Sequence, residues 1–149
     1  MRTLAIDLGS KRVGLALSDA GGTLASPYEV LAVNNAAQAT APILRIVERE
    51  GVERIVLGLP LNMDDSFSAQ TRGVVAWGAR LAAAVDMPVI YVDERLSSFA
   101  AEQQLISLKR AGQKMTRKDK KRSLDAVAAA EFLQAFLDGR LLGLDISNP

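Results

Sequence analysis

The sequence predicts an α/β fold, a five-stranded mixed sheet flanked by helices, and three observations lead to it. Residues 3 to 33 read as three consecutive strands joined by short glycine-containing turns, the pattern of an antiparallel meander. Two later apolar runs, Val52 to Leu59 and Pro88 to Val92, are contiguous rather than alternating and are set between helical segments, as parallel strands covered on both faces are. Finally, 149 residues that are 49% hydrophobic supply one domain, residues 1–149, with ample core.

The first strand pair centres on TLAIDLGSKRVGLALSD. Leu4, Ala5, Ile6 and Leu8 surround Asp7, Gly9-Ser10-Lys11-Arg12 breaks the run, and Val13, Leu15, Ala16 and Leu17 resume it. Ala20-Gly21-Gly22 is a turn, and Thr23 to Val33 is the third strand, with Pro27 marking an edge position or a bulge. From Asn35 to Glu50 the apolar positions Ala36, Ala39, Ile43, Ile46 and Val47 recur at helical spacing, with Asn34 or Asn35 as cap and Gly51 as stop. After the strand Val52 to Leu59, the loop Gly58 to Ser66 occupies the carboxyl end of a parallel strand, where ligands gather in open α/β sheets. Asp64 is expected to shape that loop, whereas Asp65 reads as an acid favoured near a helix start by the dipole. Phe67 to Val85 is a long helix, and the strand after it ends in Asp93-Glu94-Arg95-Leu96-Ser97-Ser98. Phe99 to Arg110 is a further helix capped by Ser97 or Ser98, Gly112 to Lys118 is a loop, and about Lys120 to Leu137 is the last helix, stopped at Gly139. Residues Leu141 to Pro149 read as a docking tail.

The chain contains no cysteine and no histidine, which excludes disulfides, thiolate catalysis, Cys-ligated zinc and Ser-His-Asp triads. Catalysis must rest on carboxylates, Lys, Arg, Tyr, Ser or Thr, and carboxylates draw hard metal ions. No apolar run near the first residues suggests a signal peptide and no stretch suggests a membrane span, so a cytoplasmic location without membrane attachment is expected. The formal net charge of +1 is unevenly spread. Lys109 to Arg122 holds eight basic residues and one acid, a net +7, which leaves −6 on the remainder. That separation fits a polyanion partner, nucleic acid being the commonest, although a solvated loop would carry the same charges.

Taken by itself, Asp7 is better explained as an acid that accepts backbone N–H bonds from the turn after it. A carboxylate in a buried strand is costly, and a larger role depends on partners brought to it. Right-handed crossovers give the sheet order 3-2-1-4-5, which is the ribonuclease H-like architecture. There the first strand, the carboxyl ends of the later strands and the final helix converge, which would unite Asp7, Glu94 or Asp93, and Asp125. Neighbours in a strand face opposite ways, so only one of Asp93 and Glu94 can face Asp7. Asp125 lies one turn before Ala129 on the apolar stripe of the last helix, with Phe132, Leu133 and Phe136, and therefore points toward the sheet.

Four motifs, in order, resemble the YqgF/RuvX family of bacterial proteins, described as Holliday junction resolvases and as pre-16S ribosomal RNA nucleases. They are Asp7-Leu8-Gly9-Ser10-Lys11-Arg12-Val13-Gly14, Gly58-Leu59-Pro60-Leu61-Asn62-Met63-Asp64, Asp93-Glu94-Arg95-Leu96-Ser97-Ser98, and Lys121 with Asp125-Ala126-Val127-Ala128-Ala129. The resemblance covers nearly the whole chain and implies an acidic, divalent-metal-binding active site at Asp7, Glu94 and Asp125, with Asp93 the alternative to Glu94. It implies a nuclease that takes precursor 16S ribosomal RNA or branched DNA, with Mg²⁺ or Mn²⁺ as cofactor, working as a monomer or, on a four-way junction, a homodimer. Lys11, Arg12, Arg95, Lys118, Lys120, Lys121 and Arg122 would then hold phosphates. The chain departs from the pattern at Asp65, where the family's loop is expected to carry a glycine able to adopt positive φ.

Two other readings compete. The Asp-x-Gly hairpin also cradles phosphates in actin-like and sugar-kinase ATPases, but those clamp nucleotide between two such domains and this chain offers one. A non-catalytic RNA-binding factor of ribosome assembly would keep the fold and the basic segment, leaving three converging carboxylates without a purpose.

Overall fold

The opening hairpin pairs β1 (Thr3–Leu8) with β2 (Arg12–Ser18), Asp7 standing opposite Gly14. Its turn is closed by the Gly9 N–H, which donates to the Arg12 carbonyl at 2.9 Å. A Cβ on Gly9 would stand 2.5 Å from that same oxygen, so the turn requires glycine. The protein is seen here in a computed structural model that describes residues 1–96 and 117–146. The helix expected over Phe99–Arg110 and its serine caps lie outside the described residues.

Strand β3 (Ala25–Ala32) adds antiparallel to β2 at the sheet edge. The register shifts beside Pro27, where Leu15 faces Glu29 but Ala16 faces Pro27. Edge position and bulge both follow from a residue that has no N–H to donate.

The helix expected from Asn35 is divided into a 3-10 turn, Ala36–Ala39, and α1 (Thr40–Glu50). Pro42 explains the division, because an α-helix running from Asn35 would need its missing N–H, whereas the first turn of a helix beginning at Thr40 does not. Asn35 caps the 3-10 turn, its side chain accepting from Gln38 N at 3.2 Å, and Gly51 ends α1 at φ 65°. Strand β4 (Arg54–Leu59) runs parallel to β1, and α2 (Ala69–Val85) follows behind a reciprocal cap. In that cap Thr71 N donates to Ser68 Oγ and Ser68 N to Thr71 Oγ1, both at 3.1 Å. Strand β5 (Val89–Asp93) runs parallel to β4, completing the order β3-β2-β1-β4-β5. The last helix, α3 (Arg117–Leu137), starts earlier than expected, so Arg117 and Lys118 belong to it and not to a loop.

The two faces of the sheet are unlike. One carries Leu4, Ile6, Val13, Leu15, Ile55, Leu57 and Leu59 against Ile43 and Ile46 of α1 and Val74, Trp77 and Leu81 of α2. Each fully buried side chain of that size contributes about 1.5–3 kcal/mol, so this face is the main source of stability. The other carries smaller residues, Ala5, Ala16, Val56 and Val92, against Ala129, Ala130, Phe132 and Leu133 of α3. Small side chains on both partners bring α3 close to the sheet. Beyond Gly139, at φ 76°, the tail returns to β5, where Leu144 N donates to the Tyr91 carbonyl at 2.7 Å and so covers the open edge. No helix among the described residues is long and apolar enough to cross a membrane.

Candidate active site

Asp7 faces α3 because Ala5, two residues earlier on β1, does so; Gly58 follows Val56 on β4 in the same way. Val92 on β5 also faces α3, which directs Asp93 to the opposite side and leaves Glu94, the first residue of a short 3-10 turn (Glu94–Leu96), to extend over the sheet. From there Glu94 crosses β4 to reach Asp7. It crosses at Gly58, where a Cβ would stand 2.8 Å from Glu94 Oε2 and 3.1 Å from both Glu94 Cβ and Phe132 Cε2. A side chain at that position would block the path.

The carboxyls of Asp7 and Glu94 are hydrogen-bonded to each other. Burial, the charge of Asp7, the shared hydrogen bond and the charge of Asp93 push Glu94 up to about 9. Glu94 therefore keeps its proton at neutral pH and donates it to Asp7. Asp7 is itself raised, chiefly by burial and also by the charge of Asp125, against the hydrogen bond from Glu94, which lowers it. Of the two adjacent acids, Glu94 meets Asp7, and Asp93 does not.

Asp125 is carried by α3 above the hairpin. Its backbone carbonyl rests on Gly14, the cross-strand partner of Asp7, and a Cβ on Gly14 would overlap that carbonyl. The carboxylate is taken by Arg12, whose Nε donates to Asp125 Oδ2 at 2.8 Å. Asp125 thus acts on Asp7 through its field, while its hydrogen bond is to the hairpin arginine. Among the described residues no group of three acids is arranged to hold a metal ion. Two adjacent hard-oxygen donors, one holding its proton to about 9 because burial and then the neighbouring negative charge disfavour its ionised form, are nonetheless a donor set whose chemistry fits a divalent cation.

Arg95 is engaged on every side. Its Nε donates to Asp93 Oδ1 at 2.8 Å, its Nη2 to Asp93 Oδ2 and to Asp65 Oδ1 at 2.6 Å, and its Nη1 to the Asn62 carbonyl. These bonds hold Asp93 well below the ordinary carboxylate range and raise Arg95. The expected site loop is therefore fastened to the turn that carries Glu94. Asp64 shapes that loop as anticipated, Oδ1 accepting from Ser66 N at 3.1 Å and from Ser66 Oγ. Asp65 differs from expectation: it lies ahead of the Ser68 cap, outside the first turn of α2, and adopts φ 67°. That is the conformation for which a glycine was expected at this point.

Lys11 is exposed at the hairpin turn next to Arg12. Lys118, Lys120, Lys121 and Arg122 are in the first turns of α3, and their side chains lie outside the described residues. Gly58 and Asn62 were not singled out individually by the sequence, though both fall inside a quoted motif. Gly14, the last residue of the first quoted motif, serves the helix as well as the hairpin. A glycine within an otherwise apolar strand was the available signal for Gly58, since such a glycine marks a close approach.

The family model described as "RuvX: Holliday junction resolvase" matches residues 1–139. A relative from Maridesulfovibrio salexigens, named "Putative pre-16S rRNA nuclease", is 42% identical over 137 residues, covering 92% of this chain and 98% of the relative. One of the same name from Paramagnetospirillum magneticum is 39% identical over 139 residues, covering 93% and 86%. Among solved structures, RuvC of T. thermophilus in complex with a Holliday junction substrate superposes with a TM-score of 0.60 at 18% identity, over 97% of this chain and all of that one. Fowlpox virus resolvase in complex with Holliday junction DNA superposes at 0.56 and 8% identity, over 93% and 98%. These structural likenesses extend the ribonuclease H-like fold assignment.

Proposed function

The chain belongs to the RuvX family, described as Holliday junction resolvases, and on that premise we propose that it is a nuclease that hydrolyses phosphodiester bonds of precursor 16S ribosomal RNA, with branched DNA as a second substrate class. The observation that carries this reading is the half-buried Asp7 and Glu94 pair, held together over Gly58. Acids drawn out of water that share a proton lower stability, and such pairs cluster where chemistry requires them.

In this reading Asp7, Glu94 and Asp125 are the catalytic carboxylates and the ones that hold Mg²⁺ or Mn²⁺. A cation held there would supply Lewis-acid polarisation of a phosphate oxygen and would lower the pKa of a water bound to it. Glu94 would have to give up its shared proton to hold a cation, so binding would be favoured as pH rises. Arg12 exchanges Asp125 for substrate phosphate, which frees Asp125 to face Asp7. Lys11 at the exposed turn, and Lys118, Lys120, Lys121 and Arg122 at the start of the helix that bears Asp125, track the nucleic-acid backbone. The protein acts in the cytoplasm, as a monomer on RNA or as a homodimer where a four-way junction requires two centres.

The ion pair between Arg12 and Asp125 also favours a second reading, a non-catalytic RNA-binding assembly factor in which that contact is permanent. The purified chain incubated with precursor 16S ribosomal RNA, single-stranded RNA and a four-way DNA junction, in Mg²⁺, Mn²⁺ or EDTA, separates the two. Cleavage only with metal supports the nuclease; binding without cleavage under any metal supports the assembly factor.

A further inference from the structure

We propose that Arg95 is a phosphate subsite at the carboxyl ends of β4 and β5 and that Asp65 is its built-in occupant, a carboxylate that holds the guanidinium until a backbone phosphate of the substrate replaces it. The inference rests on the nuclease reading and adds a gated subsite to it.

Arg95 stands in the short turn after β5 and Asp65 in the loop after β4, so their pair lies at the carboxyl ends of two parallel strands, where ligands gather in open α/β sheets. The guanidinium is fixed from the protein side. Asp93, whose side chain is 14% exposed, accepts from Nε and Nη2, and the Asn62 carbonyl accepts from Nη1. Its remaining Nη2 bond goes outward to Asp65, whose side chain is 79% exposed. One acceptor is thus shielded and structural, and the other stands in solvent.

An arginine oriented by a carboxylate behind it and capped by an exposed oxygen in front presents the arrangement a phosphate oxygen requires. Exchange of the Asp65 carboxylate for phosphate would preserve the hydrogen bond at Nη2. An exposed pair of this kind is screened and weak, whereas a nucleic-acid backbone is held by every phosphate contact it makes along the protein. The exchange therefore favours the substrate once it is docked, and Asp65 acts against anions that dock poorly.

The test is equilibrium binding of a fluorescently labelled single-stranded RNA and of a labelled four-way DNA junction to the full chain in EDTA, where no cleavage occurs. Asp65→Asn and Asp65→Gly are compared with wild type, with Asp64→Asn as a control for simple loss of a nearby negative charge. Both Asp65 variants are expected to bind at least roughly threefold more tightly than Asp64→Asn. That gain should vanish in an Arg95→Gln background. Asp65→Gly, which suits positive φ, should unfold no earlier than wild type, so a folding defect in Asp65→Asn would not hide the result. Equal or weaker binding by both Asp65 variants, or a gain that persists without Arg95, would overturn the proposal. Failure of the nuclease reading shows separately, as the absence of metal-dependent cleavage by wild type.

Discussion

Gly58 and Glu94 are in contact across the sheet: a Cβ on the glycine would stand 2.8 Å from the Oε2 of the glutamate. Glu94 arises at the end of the edge strand and Asp7 sits on the central one, so the two acids can meet only where the strand between them has no side chain.

Gly58→Ala is therefore expected to push Glu94 away from Asp7. Cleavage should fall at least about tenfold, the scale of a displaced catalytic group. Stability should fall by about 1–3 kcal/mol, because the new methyl also meets Phe132 in a packed region. Single-turnover cleavage together with urea unfolding measures both. Unchanged cleavage would show that the path over Gly58 is not needed.

Gly14→Ala attacks the same centre from the helix side. Its methyl would overlap the Asp125 carbonyl, so α3 must lift from the hairpin. A loss of about 1–3 kcal/mol is expected, as for overpacking elsewhere, with Asp125 carried away from Asp7. Equilibrium unfolding of the variant checks it, and a neutral outcome would mean that the helix is free to slide.

The pH dependence of stability follows from Glu94. Its pKa lies at about 9 in the folded protein against 4.5 as the ordinary value, so the folded state binds the proton more tightly than the unfolded state. This contribution is fully present below about 4.5 and is lost as pH rises toward 9, at up to about 1.4 kcal/mol per pH unit for one proton. In EDTA, unfolding free energies between pH 5 and 9 should fall in wild type and stay flatter in Glu94→Gln. Added Mn²⁺ should restore stability most at the alkaline end, since the cation replaces the proton. A wild-type profile as flat as that of the variant would rule out the shared proton.

The strand order was legible because contiguous apolar runs such as Ile55-Val56-Leu57 and hairpin turns around Gly9 carry their meaning locally. Helical spacing likewise placed Asp125 toward the sheet. The choice between Asp93 and Glu94 stayed open because alternation says only that neighbours diverge, while the register of β5 on β4, with Val92 opposite Gly58, decides which one faces α3. The Arg95 contacts with Asn62 and Asp65 span about thirty residues and leave no periodic trace in the sequence. Similarly, the obstacle that requires Gly14 is the backbone of Asp125, more than a hundred positions away.

Arg12→Gln tests whether the Arg12 and Asp125 ion pair is structural. Both side chains are partly exposed, so its loss should change stability by less than about 1 kcal/mol. Binding of the labelled RNA should weaken and depend less steeply on salt, by about one unit of the log–log slope, if Arg12 takes a phosphate. An unaltered salt slope would confine Arg12 to holding Asp125.

The central claim is that Asp7, paired with Glu94, is the metal-dependent nuclease centre. Its most direct test is single-turnover cleavage of precursor 16S ribosomal RNA in Mn²⁺ by wild type and by Asp7→Asn, purified side by side. Wild type should cleave and lose that activity in EDTA, and Asp7→Asn should be folded, bind the RNA and cut it at least about a hundredfold more slowly. Cleavage by Asp7→Asn at the wild-type rate would contradict the account.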